Sequence, residues 1–381
     1  MILTISLISI IYVLLIGSFV YGFEKVKGFK LINLLSKTTF SIIIPFRNEA
    51  ENLSELLESI NHLQYPKTLY EIILVNDESE DDSEAIIKNF LNTNSIKANE
   101  KQHNITLINN VRITNSPKKD AITTGINYAK NEWIITTDAD CILPVFWLNS
   151  FDEFIQQTNT YCIAAPVSYE LENTFLNKFQ ALDFLSLQGA TIGGFGINHP
   201  FLCNGANFAY RKDTFFEVNG FENNTNISSG DDIFLLEKIV KKHPKQVHFL
   251  KCEKAIVKTL SQRTWKELLA QRIRWAAKTS SYNNWFGKLT GFVVLLMNSI
   301  IIIDIILTLT SLLNPKILFY ILFIKFNIDV LLIYKPATFY KQKGVLKSFF
   351  FAFIVYSFFS VFVAFLSLFK GFKWKDRSYK K

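Results

Sequence analysis

The sequence predicts an α/β domain flanked by membrane-spanning helices, and three observations support this. Long apolar runs lie at both ends of the 381-residue chain, in which hydrophobic residues make up 49% and charged residues 19%. Between them, short β-branched segments alternate with helical periodicities, the order typical of a parallel sheet covered by helices. Acidic motifs directly follow two of these strands, and such sheets bind ligands beyond the carboxyl ends of their strands.

The first apolar run, residues 2–22, carries no charge and is long enough to cross a bilayer core, which needs about 20 residues. A cleaved signal peptide is the alternative. The run has no basic segment before it and no small-residue cleavage site after it, so we expect an uncleaved anchor over residues 1–24.

Three further apolar runs, at about 289–313, 317–334 and 348–369, predict a C-terminal membrane region over residues 286–370. A basic tail, 371–381, follows it. Four full crossings would place this tail outside, although basic flanks favour the cytoplasmic side. One run would then be interfacial or re-entrant, or the charge rule fails at this end; the sequence leaves these alternatives open.

The formal net charge of +8 would also suit a nucleic-acid binder. Many lysines instead adjoin the membrane runs, a placement that marks the cytoplasmic face and attracts anionic lipid. We therefore expect no nucleic-acid partner and a domain that faces the cytoplasm. The lysines concerned are Lys25, Lys27, Lys30, Lys37, Lys335, Lys341, Lys343 and Lys347.

The four cysteines are scattered without paired spacing, which fits reduced thiols in the cytoplasm and does not fit a zinc site. Helices and strands alternate between the membrane runs. We expect strands at 40–45, 71–75, 105–109 and 133–137, and helices at 49–63, 83–91, 118–130 and from about 264.

Aspartates follow two of these strands. Asp77 comes after the strand ending at Val75, and Asp138 and Asp140 come after the strand 133–137. Carboxylates gathered at one edge of a sheet repel each other unless a cation compensates. An Asp-x-Asp pair is by itself an ordinary turn signal. Its position after a strand favours a site for Mg²⁺ or Mn²⁺, which takes one or two carboxylates and completes its shell with phosphate oxygens.

A third acidic motif, Ser228-Ser229-Gly230-Asp231-Asp232, precedes a helical segment. Helix capping is the alternative interpretation, since serine and aspartate favour helix starts. One capping residue is enough, so at least one carboxylate is left for other chemistry, such as general-base catalysis.

The fourth motif is Gln271-x-x-Arg274-Trp275 in a helical stretch. Its three side chains share one helix face, at i, i+3 and i+4. A guanidinium suits diphosphate oxygens and an indole suits a ring face. A basic amphipathic helix on a membrane surface is the alternative, and the two interpretations are compatible.

The ordered set of motifs over residues 38–285 resembles glycosyltransferase family 2. It comprises Pro45-x-x-Asn48-Glu49, Asn76-Asp77-x-Ser79, Asp138-x-Asp140, Asn204-Gly205-Ala206-Asn207-x-Ala209-x-Arg211, Gly220-Phe221, Gly230-Asp231-Asp232 and Gln271-x-x-Arg274-Trp275. Membrane-bound polysaccharide synthases and ceramide glucosyltransferases share this pattern. The resemblance implies a GT-A fold, a nucleotide-sugar donor that is UDP-linked by family habit, a divalent metal and inversion at the anomeric carbon.

The resemblance also implies roles for individual residues. Asp77 is similar to the aspartate that contacts the nucleotide base, Asp138 to the one near the ribose or metal, and Asp140 to the direct metal ligand. Asp232 is similar to the general base. The adjacent Asp231 stands where glutamate is usual, so either of the pair is a candidate for that role. The remaining expected positions are Pro45, Asn48, Glu49, Lys119, Gln271, Arg274 and Trp275 for the donor, and Asn204, Gly205 and Trp275 for the acceptor.

Two alternatives stay open at single residues. Lys119 is either a basic group near the donor or a solvated lysine. Asp304 and Lys325, inside apolar runs, either form a structural ion pair or line an acceptor path with Asp329.

We therefore expect a membrane glycosyltransferase that acts on a lipid-linked or polysaccharide acceptor. The small membrane part favours a lipid, a short glycan or export through a partner. A processive polysaccharide synthase is the first alternative, and a non-catalytic scaffold that retains the fold is the second.

Overall fold

A computed structural model describes residues 2–96, 104–225, 229–279, 281–369, 372–374 and 377–379. Residues 371, 375–376 and 380–381 of the expected basic tail therefore lie outside the described residues, as does Ser228. The helices are α1 (Ile2–Lys25), α2 (Leu53–Asn61), α3 (Ser83–Ile96), α4 (Pro117–Tyr128), α5 (Trp147–Gln157), α6 (Phe175–Gly196), α7 (Lys212–Glu217), α8 (Asp231–Lys242), α9 (Trp265–Thr279), α10 (Trp285–Leu309), α11 (Pro315–Phe339) and α12 (Phe349–Phe369).

The strands alternate with the helices in the first half of the chain, as the sequence predicts. They are β1 (Phe40–Phe46), β2 (Tyr70–Asn76), β3 (Ile105–Asn109), β4 (Trp133–Thr136), β5 (Cys141–Ile142), β6 (Cys162–Ala164), β7 (Val167–Tyr169), β8 (Phe208–Arg211), β9 (Val247–Phe249), β10 (Val257–Thr259), β11 (Phe372–Trp374) and β12 (Arg377–Tyr379).

The described residues form two compact units. The first, called the sheet unit below, comprises Lys27–Ser168 and Cys203–Leu260. The second, called the helical unit, comprises Met1–Val26, Tyr169–Leu202 and Ser261–Lys381. Helix α6 belongs to the helical unit although it lies in sequence between strands of the sheet unit.

The sheet unit is built on a seven-stranded sheet of described strands, in the order β3-β2-β1-β4-β8-β6-β9. Strands β1 to β4 are parallel, with β1 between β2 and β4, so their carboxyl ends share one edge. The expectation of a parallel sheet is wrong for β8, which pairs antiparallel with β4 and β6. The polar motif around Asn204 precedes β8 and gave no sign of strand direction.

The helical unit contains four described helices that are long and apolar enough to cross a membrane: Ile2–Lys25, Trp285–Leu309, Pro315–Phe339 and Lys343–Phe369. The four predicted runs are therefore confirmed as helices. Helix α10 begins earlier than expected because the Asn284 side chain accepts a hydrogen bond from the Gly287 N–H and caps the helix.

Helices α1 and α6 cross at very short range through glycines. A Cβ built on Gly196 would lie 1.8 Å from the carbonyl oxygen of Gly22, and one built on Gly193 would lie 2.4 Å from that of Phe19. Small residues permit such close backbone approach between apolar helices. The N-terminal helix is therefore an integral part of the helical unit.

The expected ion pair between Asp304 and Lys325 is wrong. The Lys325 ammonium instead lies 2.5 Å from Oδ2 of Asp329, one turn along α11, and the Tyr12 hydroxyl donates a 2.6 Å hydrogen bond to Oδ1 of the same carboxylate. Both Asp329 oxygens are engaged by groups from α1 and α11. The buried Asp304 carboxylate has no hydrogen-bond partner among the described residues.

Candidate active site at the carboxyl edge of the sheet

Asp77 lies directly beyond β2, and two side chains from the segment after β3 hold its carboxylate. Its Oδ1 accepts hydrogen bonds from Asn110 Nδ2 at 2.7 Å and from Arg112 Nε at 2.8 Å. Asp120 fixes that segment by accepting hydrogen bonds from the N–H groups of Ile113 and Thr114. An acceptor framed by amide and guanidinium donors suits a planar heterocycle with matching polar edges.

The motif Pro45-x-x-Asn48-Glu49 lies next to Asp77. Pro45 pairs in register with Val75, and Asn48 adopts a left-handed backbone with φ of 50°. The Asn48 Oδ1 accepts the Glu80 N–H at 2.8 Å, and the Glu49 N–H donates to the Ser83 hydroxyl at 2.8 Å. The structure therefore brings the first two sequence motifs together at one edge of the sheet.

Asp138 lies beyond β4, at the same edge. Its Oδ1 accepts a 2.7 Å hydrogen bond from the ammonium of Lys118 at the start of α4. The same ammonium lies 3.5 Å from Oδ2 of Asp231. Burial lowers the pKa of Lys118, but the charges of Asp138, Asp231 and Asp232 more than offset it and raise the pKa. Asp138 and Asp231, from two sequence motifs, therefore flank one lysine that the sequence did not single out.

Asp231 and Asp232 occupy the first turn of α8, where carboxylates are favoured by the helix dipole. The helix-capping alternative does not account for them, because the N-cap is Gly230, with φ of 84° and no side-chain cap. Asp232 Oδ2 accepts the Gly205 N–H at 3.0 Å, and its Oδ1 accepts the Ile233 N–H at 2.8 Å.

Gly205 permits the close approach of this acidic pair. A Cβ at Gly205 would lie 3.1 Å from Oδ2 of Asp231 and 3.6 Å from Cβ of Asp232. The Thr136 hydroxyl at the end of β4 donates to the Gly205 carbonyl at 2.9 Å, and Asn204 accepts the Ala206 N–H. The Asn204-Gly205 motif thus joins the end of β4 to the start of α8.

Lys119, the next residue along α4, is buried and contacts a backbone carbonyl and an aromatic ring. It is 1% exposed, donates to the Asn224 carbonyl at 2.7 Å and lies 4.8 Å from the centroid of the Phe234 ring. The alternative of a solvated lysine is therefore wrong. Adjacent helical residues diverge by about 100°, so Lys118 and Lys119 face different surroundings.

Asp140 follows Asp138 by two residues, and the thiol of Cys141 approaches its Oδ1 at 3.7 Å. Burial, with the charges of Asp140 and Asp138, raises the pKa of Cys141, so the neutral thiol is a poor metal ligand. The available donors are carboxylate oxygens, the type that Mg²⁺ and Mn²⁺ prefer.

No three His, Cys, Asp or Glu side chains within the described ranges converge as a ready-made ligand set. A cation that completes its shell with phosphate and water does not need one. The electrostatics of the site also suit a cation, because the cluster already attracts an ammonium. The residues present therefore fit a divalent metal.

Gln271, Arg274 and Trp275 lie on α9 in the helical unit. Lys118, Asn110 and Arg112 were not among the residues expected from the sequence. The position of Asn110 and Arg112, just beyond β3 at the same edge, was the available signal for the last two.

A model of the glycosyl transferase family group 2 matches residues 133–369, and one of glycosyl transferase family 2 matches residues 41–217. The first match covers more than half of the chain. The chain therefore belongs to the family 2 group of glycosyltransferases, as the motifs indicated.

Curated relatives match parts of the chain. It is 25% identical over 184 residues to poly-beta-1,6-N-acetyl-D-glucosamine synthase of Staphylococcus epidermidis, covering 46% of this chain and 41% of that protein. It is 37% identical over 105 residues to undecaprenyl-phosphate 4-deoxy-4-formamido-L-arabinose transferase of Proteus mirabilis, covering 27% and 29%. The chain thus spans less than half the length of these two relatives.

Among solved structures, the mannosyltransferase PcManGT from Pyrobaculum calidifontis, in complex with GDP-Man and Mn²⁺, matches with a TM-score of 0.55 at 14% identity. The match covers 96% of this chain and 99% of that chain. At this identity the likeness concerns the fold, and the expected GT-A fold is confirmed.

Proposed function

We propose that this protein transfers a sugar from a nucleotide-sugar donor, with inversion at the anomeric carbon, to a lipid-linked or polysaccharide acceptor at a membrane. The observation that carries the proposal is the contact of Lys118 with both Asp138 and Asp231, next to Asp232, at the edge of the sheet where Asp77 also lies. Family membership supplies the reaction type.

Asp77 would hold the nucleobase of the donor, together with Arg112 and Asn110, which already frame its carboxylate. Pro45, Asn48 and Glu49 would shape the same subsite. The N–H groups of Asn48 and Glu49 donate to the hydroxyls of Ser79 and Ser83, and Pro45 pairs with Val75. A uracil base is consistent with this pattern of donors and acceptors.

Asp140, with Asp138, would hold Mg²⁺ or Mn²⁺. When bound, the metal would stabilise the negative charge that builds on the departing nucleoside diphosphate. Lys118 would contribute a second positive charge at the same place, which makes it a better candidate for the donor side than Lys119.

Asp232 would accept the proton of the acceptor hydroxyl as the new glycosidic bond forms. The N–H groups of Gly205 and Ile233 fix its carboxylate, whereas Asp231 Oδ2 faces the Lys118 ammonium. This difference favours Asp232 over Asp231 as the base. Asn204 and Gly205 would border the acceptor.

Gln271, Arg274 and Trp275 are proposed to bind the diphosphate and the acceptor. We further propose that the domain over residues 38–285 faces the cytoplasm, because the lysines flanking the membrane runs favour that side. The alternative is a processive polysaccharide synthase, with or without an export partner, which would use the same transfer reaction.

A panel of radiolabelled nucleotide sugars, incubated with native membranes and Mn²⁺, tests the proposal. Products are separated into lipid-extractable and polymeric fractions. Asp232→Asn should lower incorporation by about 10²–10⁴-fold, the usual contribution of a general base. Asp140→Asn should also lower incorporation strongly, because it removes a metal ligand. Asp213→Asn, at an exposed carboxylate, is the control. Full activity in Asp140→Asn or Asp232→Asn would overturn the site, and a wild-type protein inactive on the whole panel would favour the non-catalytic scaffold.

A further inference from the structure

Arg272, the second residue of the Gln-x-x-Arg-Trp motif, has a buried guanidinium in the helical unit. Arg272, on α9, is 7% exposed. Its Nε donates a 2.7 Å hydrogen bond to Oδ2 of Asp183 on α6, and its Nη2 lies 2.7 Å from the same oxygen. The Asp183 side chain is also buried. The charge of each residue is therefore compensated within the helical unit.

The same guanidinium contacts two residues of the motif, Gln271 and Trp275. Its Nη1 donates a hydrogen bond to Oε1 of Gln271, and its central carbon lies 4.2 Å from the centroid of the Trp275 ring. A planar cation at this distance over an indole is a favourable stacking contact. One side chain thus restricts both the amide and the indole.

The electrostatics keep this group charged. Burial lowers the pKa of Arg272, but Asp183 and Tyr169 more than offset it and raise the pKa. Breaking a buried pair by removing one partner typically costs about 3–5 kcal/mol, so the arrangement resists rearrangement.

We propose that Asp183 and Arg272 are positioning residues that preset the Gln271 amide and the Trp275 indole for substrate. The role rests on the proposed function, in which these two groups bind the diphosphate and the acceptor. A salt bridge serving only to join α6 to α9 would need neither a planar cation over the indole nor a donor to the Gln271 amide. The arginine pairs with Asp183, donates to the Gln271 amide and stacks on the Trp275 ring. A lysine would keep the charge but would lack the planar group.

Tryptophan fluorescence tests the geometry without any turnover. Arg272→Lys keeps the charge but loses the planar group over Trp275, so the emission spectrum should change relative to wild type. The change should be absent when both proteins carry Trp275→Phe. Lys266→Gln, at an exposed position on the same helix, is the control and should leave the spectrum unchanged. An unchanged spectrum in Arg272→Lys would overturn the stacking contact.

Kinetics separate positioning from a purely structural tie. In native membranes supplied with labelled nucleotide sugar, Arg272→Lys should lower kcat about 10- to 100-fold, with the donor KM within about threefold of wild type. The exchange Asp183→Arg with Arg272→Asp should restore thermal stability in detergent relative to Asp183→Arg alone, without restoring kcat.

Recovery of kcat in the folded exchange variant, or a wild-type kcat in Arg272→Lys, would overturn the positioning role. If the exchange variant does not fold, Arg272→Lys decides. If wild-type membranes show no transfer at all, the proposed function fails, and the fluorescence experiment still reports on the contact between Arg272 and Trp275.

Discussion

The ammonium of Lys118 lies 2.7 Å from Oδ1 of Asp138 and 3.5 Å from Oδ2 of Asp231. The two aspartates are 93 positions apart in the sequence, and one follows a strand whereas the other begins a helix. The lysine therefore joins the expected metal-ligand motif to the expected base motif and partly neutralises both.

Replacing Lys118 should expose its role as counter-ion. Lys118→Met removes the charge that the carboxylates share, so the metal-free protein should melt at a lower temperature. Added Mn²⁺ should then raise the melting temperature more than in wild type, because ligand binding to the folded state stabilises it. Thermal denaturation in detergent with EDTA or Mn²⁺ measures both effects. Lys88→Met, at a surface ion pair, is the control, and equal Mn²⁺ shifts in Lys118→Met and wild type would contradict the prediction.

The acidic pair at the start of α8 should tolerate no side chain at position 205. Gly205→Ala places a Cβ 3.1 Å from Oδ2 of Asp231 and so displaces the carboxylates. We expect transfer to fall by about tenfold or more, because small misplacements of catalytic groups are costly. Gly344→Ala, where a Cβ meets nothing within 4 Å, is the matched control. Wild-type transfer rates in a folded Gly205→Ala protein would show that Asp231 and Asp232 do not need to lie this close to position 205.

The thiol of Cys141 should resist alkylation. Burial, together with the charges of Asp140 and Asp138, raises its pKa, so at any pH below that value less thiolate is present than in an ordinary cysteine. Between pH 7 and 9 its rate of reaction with iodoacetamide should stay low, whereas the half-buried Cys203 should react faster. Mass spectrometry of the alkylated peptides gives both rates. Equal rates at pH 8 would contradict the raised pKa.

Lys118 should produce no stability transition in the same pH range. Its pKa is raised in the folded state, so its contribution is fully present below the unfolded value of about 10.4 and is lost only as the pH rises through the folded value. A melting-temperature difference between wild type and Lys118→Met that stays constant from pH 6 to 9 is the expected result. A difference that disappears within this range would mean that the lysine titrates there.

The carboxylate of Asp329 should matter more for stability than that of Asp304. Asp329→Asn leaves the buried Lys325 charge without its counter-ion, which typically costs about 3–5 kcal/mol. Asp304→Asn removes a carboxylate that has no hydrogen-bond partner among the described residues, so it should be neutral or stabilising. Thermal denaturation of the two variants in one detergent compares them directly. The reverse order would restore the pairing of Asp304 with Lys325.

The sequence predicted the strands that precede Asp77 and Asp138, because β-branched runs followed by polar turns are local signals. It failed where the decisive quantity is the direction of a side chain. Lys118 and Lys119 are chemically identical neighbours, and which of them faces the carboxylates depends on the rotation of α4 against the sheet. The partner of Lys325 was also left open by the sequence. Asp329, one turn away on the same helix, was a local candidate, but the sequence alone did not show which carboxylate the lysine faces.

Long-range partners gave even less signal. Asp183 and Arg272 are 89 positions apart, and neither belongs to a motif whose spacing indicates the other. The antiparallel direction of β8 was not predictable either. It depends on the path of the chain through α6 before β8, and a simple alternation of strands and helices does not indicate that path.

The close crossing of α1 with α6 limits how this protein can be dissected. A water-soluble fragment that starts after residue 26 would uncover a glycine-lined strip on α6, a helix encoded between two strands of the sheet unit. Such a fragment would expose an aggregation-prone surface on a helix in the middle of its sequence, and truncation of either terminus would not remove it. Purification for structural work should therefore retain the first helix and a detergent or lipid disc around it.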